Sequence, residues 1–166
     1  MNNRNIVDEI LFGATSELLS AYGLDSELDS RPIAENSVNF GGVIGFSGDD
    51  MRGTLLIAPS RGIIERSRPV AETREQDWVG ELCNQLLGRF KNRLLARGTV
   101  IHMTTPLAIR GQYIVATPRE NLDPLRLRAG DDQIWIWLDL EMKPELTLAP
   151  VVCDDPIGVE GQTIIF

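Results

Sequence analysis

Histidine and cysteine are nearly missing from this chain. Its 166 residues include one histidine and two cysteines. Cys83 and Cys153 lie far apart, no Cys-x-x-Cys pair occurs, and His102 alone cannot complete a zinc site with them. Positive charge is also short: 16 Lys and Arg stand against 24 Asp and Glu, a formal net charge of −8. A nucleic-acid binder needs a positive footprint to neutralise phosphates, so neither DNA nor RNA is an expected partner. Anionic membrane surfaces are disfavoured on the same ground. The longest apolar runs, such as Thr54–Ala58 and Ile134–Leu138, have the length of a strand, far below the ~20 residues that span a bilayer. The opening from Met1 to Asn5 is polar, and Asp8 and Glu9 break the next stretch, which is unlike a signal peptide. Free thiols in such a chain fit a reducing cytosol, so the expected location is cytoplasmic.

What is present is the composition of a globular domain: 43% of the residues are hydrophobic, and the length suits one domain with a real core. Ile6, Ile10, Leu11, Ala14, Leu18 and Tyr22 recur at three-to-four spacing and predict a helix that Gly23 stops. A polar loop through Asp25, Asp29 and Pro32 comes next. Val38–Phe46 and Thr54–Ala58 read as two strands joined at Ser47-Gly-Asp-Asp50. Gly41, Gly42 and Gly45 inside the first suggest a bulge, a close backbone approach, or simple sheet irregularity. A short helix is expected from Ser60 to Arg66, ended by Pro69.

The clearest element is a long helix from about Ala71 to Arg97. Glu72, Glu75 and Asp77 suit its positive N-terminus, Arg89, Lys91, Arg93 and Arg97 suit its negative end, and Gly98 sits where a left-handed cap is wanted. Strand-like segments come after it at Thr99–Met103, Leu107–Ile109 and Tyr113–Ala116, interrupted by Pro106 and Pro118. Ile134–Met142 alternates, with Ile134, Ile136, Leu138, Leu140 and Met142 on one face and Trp135 and Trp137 on the other. The tryptophans are expected to cover core or to lie at a protein interface. The whole order predicts an α+β fold, an antiparallel sheet with two long helices packed on one face, rather than a Rossmann-type sheet. Residues 1–143 form the expected domain, and residues 144–166, with Pro144, Pro150 and Pro156, an extended C-terminal tail.

At ~100° per residue, Val79, Leu82, Cys83, Leu86, Leu87, Phe90 and Leu94 fall on one arc of the long helix. Glu81, Asn84, Gln85, Gly88, Lys91 and Asn92 gather on the other. The plain interpretation is a solvent face. Yet asparagine is a mediocre helix former, and glycine costs ~1 kcal/mol relative to alanine. A glycine on that side admits another protein's backbone.

The segment Asp77-Trp-Val-Gly-Glu81-Leu-Cys-Asn84-Gln-Leu-Leu-Gly88 resembles the signature helix of the CheX/CheC/FliY family of chemotaxis phosphatases. Those proteins carry a Glu-x-x-Asn pair on a long helix, with an acidic residue before it and a glycine one turn after. The hairpin Val43-Ile-Gly-Phe-Ser-Gly48 with Gly53-Thr-Leu-Leu-Ile57, and Thr105-Pro106 followed by Gly111, are similar to the flanking segments. The single pair is similar to CheX; CheC-type proteins carry two, and the first helix here has no second, since Glu9 is followed by Phe12 and Glu17 by Ser20.

The resemblance implies a phosphatase acting on the phospho-aspartate of a CheY-like response regulator, with Glu81 and Asn84 as catalytic residues. Asn84 would orient the attacking water and Glu81 would dock the receiver's active-site lysine. Gln85 and Gly88 are further candidate contacts with the partner. No metal or cofactor of the protein's own is implied, because the substrate receiver brings Mg2+. A homodimer is also implied. The alternative is a non-catalytic module of the same fold that grips a response regulator or serves as a scaffold. An unrelated small-molecule enzyme has no support: no phosphate loop, nucleophile elbow or metal cluster is found.

Overall fold

The apolar stripe near the N-terminus forms helix α1 (Asn3–Ala21), which buries Val7, Ile10, Leu11, Ala14, Leu18 and Leu19. The computed structural model describes residues 3–31, 38–70, 73–112, 114 and 123–149. A two-residue strand β1 (Glu27–Leu28) is next, then a hairpin of β2 (Phe40–Ser47) and β3 (Met51–Pro59). Helix α2 (Arg61–Ser67) is capped by Ser60, whose hydroxyl accepts from the Ile63 N–H. Helix α3 (Glu75–Leu95) leads to β4 (His102–Met103), β5 (Leu107–Arg110), β6 (Leu125–Ala129) and β7 (Asp132–Met142).

The seven strands of the described residues join one sheet through antiparallel pairings, in the order β1-β6-β7-β3-β2-β4, with β5 also on β2. Alternate residues of the central strands, among them Phe40, Ile44, Phe46, Leu55, Ile57, Ile134, Ile136 and Leu138, share one core with the apolar faces of α1 and α3. This is the expected α+β architecture, with both long helices on one side of the sheet.

The glycines of β2 do not mark a bulge. Its register with β3 is unbroken from Gly42↔Ile57 to Ser47↔Arg52. Gly42 instead permits close approach: a Cβ there would lie 2.9 Å from Cys83 Cβ and 3.0 Å from the Val79 carbonyl oxygen. Pro106 does divide an edge. β4 pairs with Phe46 and Ser47, and β5 with Phe40 to Val43. Between them Thr104 bridges the gap, its N–H donating to the Gly45 carbonyl at 2.9 Å and its hydroxyl accepting from the Gly45 N–H at 3.0 Å.

The long helix is shorter than its polar flanks suggest. Ahead of it the Thr73 N–H donates to the Val70 carbonyl and the Arg68 guanidinium to the Thr73 carbonyl. Helix geometry begins only at Glu75, with Arg74 at the N-cap position and ion-paired to Asp77. At the other end Gly98 takes a φ of 81°, the left-handed cap expected of it. Of the predicted strand Thr99–Met103 only its last two residues pair. Most of Tyr113–Ala116 lies outside the described residues.

Trp135 faces away from the helices and is 2% exposed, packed with Val38 and Ala58 and flanked by Leu56, Ile114 and Trp137. The register places Leu107, Val43, Leu56 and Trp137 in one row across β5, β2, β3 and β7 on that same face. After β7, Leu148 is buried and the Ala149 N–H reaches the Arg97 carbonyl, so residues 143–149 lie against the domain. The remainder of the expected tail, including Cys153, lies outside the described residues.

Candidate functional site

Burial decides which way α3 faces. Val79, Leu82, Leu86, Leu87, Phe90 and Leu94 are at most 1% exposed. Burying a side chain of this size is worth ~1.5–3 kcal/mol, so six of them outweigh the ~1 kcal/mol lost at Gly88. The opposite side is thereby fixed outward. Glu81 is exposed, and Asn84, Gln85 and Gly88 are half-buried. Glu81 and Asn84 sit one turn apart, a spacing that puts Cβ atoms ~5–6 Å from each other.

These four residues border one open groove of 580 Å³ between α3, the end of α1 and β4, where Tyr22 and Met103 also contribute. A Cβ added at Gly88 would meet nothing within 4 Å, so the space beside the helix is open there. The carboxamide of Asn84 has no hydrogen-bond partner among the described residues. Glu81 is held differently: the Gln85 Nε2 donates to its Oε1 at 2.9 Å. Gln85 Oε1 in turn accepts from the Tyr22 hydroxyl at 2.7 Å.

The basic residues of α3 divide between two tasks. Arg93 reaches Glu17 of α1 at 2.9 Å, with Arg89 3.9 Å from the same carboxylate. Arg93, with Arg89 near the same carboxylate, therefore ties the two helices together beside the groove. Lys91 borders the groove as well. Cys83, next to Asn84, is fully buried, and burial pushes its thiol pKa up to about 12, so it is no nucleophile. His102 is exposed on β4. Among the described residues no three of His, Cys, Asp and Glu converge as a metal site requires, and no helix is long and apolar enough to cross a membrane.

Sequence spacing alone brings Glu81, Asn84, Gln85 and Gly88 together, and the structure keeps all four on one groove. Spacing does not find Tyr22, whose place in the stripe of α1 reads as core. The available signal is its hydroxyl, a polar tip at a helix end that must find a partner.

No functionally curated protein matches the chain. Solved structures do. CheX from Vibrio vulnificus superposes with a TM-score of 0.69 at 22% identity, covering 85% of this chain and 100% of that one. A CheC-like superfamily protein from Shewanella sp. PV-4 gives 0.65 at 18% identity, covering 81% and 97%. The CheX–CheY–BeF3–Mg2+ complex from Borrelia burgdorferi gives 0.60 at 16% identity, covering 80% and 96%. These likenesses establish the fold. The sequence itself matches the family described as chemotaxis phosphatase CheX over residues 40–127, a span that holds the hairpin, α3 and the groove-facing pair, and on that match the chain belongs to the CheX family.

Proposed function

We propose that this protein hydrolyses the aspartyl phosphate of a CheY-like response regulator, with Asn84 orienting the attacking water and Glu81 docking the receiver's active-site lysine. The observation that carries this proposal is the pair itself: a carboxamide without a hydrogen-bond partner among the described residues and a carboxylate, one turn apart, facing outward over an open groove.

An acyl phosphate on aspartate is intrinsically labile, and the receiver's own Mg2+ already offsets the phosphoryl charge. What hydrolysis lacks is a water held in line with the P–O bond. The carbonyl of Asn84 would accept a water proton and its N–H would donate, as the glutamine of a GTPase positions water. Mounting it on a helix limits the positional freedom that wastes orientation. Glu81 would fix the angle of entry through an ion pair with the receiver's lysine, and Gln85 and Gly88 would flank that contact. The Borrelia relative is a complex with CheY, BeF3 and Mg2+, and BeF3 stands in for the phosphoryl group. That composition supports a CheY-like partner that brings its own metal.

The same proposal includes a homodimer. The apolar row Leu107, Val43, Leu56 and Trp137, with Leu107 63% exposed, lies on the face away from the groove, so a second copy seated there leaves both sites open. Gel filtration at twice the monomer mass supports this part; monomer mass at high concentration refutes it. The activity is tested by screening phosphorylated receiver domains for decay with and without the protein. Accelerated loss of phosphate from at least one is expected, and no acceleration of any refutes the proposal.

A further inference from the structure

Glu81 is a flexible side chain on an exposed helix face, yet it is held in place. The carboxylate is acceptor-only, so the Gln85 amide must present its NH2 to Glu81 Oε1, at 2.9 Å. That leaves Gln85 Oε1 facing Tyr22, whose hydroxyl must then be the donor, at 2.7 Å. The relay has one direction: Tyr22 hydroxyl to Gln85 amide to Glu81 carboxylate.

Its far end is built into the fold. Tyr22 comes directly after the last turn of α1, where the Leu24 N–H donates to the Leu19 carbonyl at 3.0 Å and the Gly23 N–H to the Ser20 carbonyl at 2.9 Å. Gly23 takes a φ of 71°, completing a left-handed helix cap. The Tyr22 ring meets buried Trp78 edge-on, centroids 5.6 Å apart at 83°. Trp78 in turn donates from Nε1 to Ser67 Oγ of α2 at 2.8 Å. Three helices thus fix the phenol that fixes the amide that fixes Glu81.

We infer that Tyr22 and Gln85 are positioning residues for Glu81, holding one carboxylate oxygen so that the other is presented, already oriented, to a cationic group of the docking partner. Ordering the side chain before encounter removes part of the entropy lost on binding. The relay touches neither Asn84 nor the water, so it acts on capture and leaves the chemical step alone. This inference rests on the docking role of Glu81 proposed above.

The test is steady-state dephosphorylation of the responsive receiver by Tyr22→Phe, Glu81→Ala and the double variant. Phenylalanine keeps the ring against Trp78 and removes only the hydroxyl. Expected is a rise in KM of roughly 3- to 10-fold for Tyr22→Phe, the size of one net hydrogen bond, with kcat within about 2-fold. In the Glu81→Ala background the same substitution should change nothing further, a coupling that mere loss of packing does not produce. Gln85→Ala should match Tyr22→Phe or exceed it. If Glu81→Ala raises KM but Tyr22→Phe does not, or if its effect persists without Glu81, the positioning role is overturned and the docking role stands. If Glu81→Ala itself leaves KM unchanged, both are overturned.

Discussion

Gly42 of β2 lies directly under Cys83 of α3, so close that a Cβ on the glycine would stand 2.9 Å from the cysteine's own Cβ. The helix that carries Asn84 is seated at this point, one residue from the carboxamide. Gly42→Ala must lift α3 or displace the Val79 carbonyl. Overpacking of this kind costs ~1–3 kcal/mol. Urea unfolding of the variant should show that loss; unchanged stability would mean that the seat is slack.

Gly88 makes the opposite prediction on the other face of the same helix. Alanine fits there without contact, and it favours helix by ~1 kcal/mol over glycine. Gly88→Ala should therefore raise the melting temperature and at the same time weaken capture of the phosphorylated receiver. A variant that gains stability with undiminished affinity would show that the partner does not approach the helix at this position.

Asp29 anchors the loop after β1. Its carboxylate accepts from Arg31 Nε and Nη2, each at 2.9 Å, and from the Gln133 side chain, while its N–H donates to the Arg126 carbonyl. The hydrogen bonds from Arg31, above all, hold its pKa well below the ordinary 3.8, against the opposing effect of burial. A carboxyl whose folded pKa is depressed binds protons more readily unfolded, so its stabilisation is present above about pH 4 and is lost as pH falls below it. Thermal unfolding of wild type and Asp29→Asn should differ at pH 7 and converge on acidification below about pH 4. A gap that stays constant down to about pH 2.5 would contradict this assignment.

Much of this was legible because it depends on local periodicity. The arc of Val79, Leu82, Leu86 and Phe90 orients α3 without reference to any other element, and orienting α3 turns Glu81 and Asn84 away from the core. The alternation of Ile134 to Met142 is likewise internal to β7. The misses are of another kind. β1 has two residues and exists only because Arg128 and Leu127 of β6 pair with it. β6 itself alternates Leu125, Leu127 and Ala129 with two arginines, a five-residue pattern directly after Pro124 that is short enough to pass for loop. Tyr22 meets Gln85 across 63 residues, a contact created by packing α1 on α3 and carried by no spacing in the sequence. Gly42 showed a signal whose alternatives, bulge or close approach, only the helix above it could separate.

The most direct measurement is the decay of the phosphorylated receiver in the presence of Asn84→Ala. Removing a group that positions the attacking water should lower the accelerated rate by ~10²-fold or more, toward the receiver's own decay, with the unfolding midpoint of the variant unchanged or raised. Near wild-type acceleration by Asn84→Ala would contradict the account, because no other outward-facing carboxamide of α3 stands one turn from Glu81 with its hydrogen-bonding groups unengaged among the described residues.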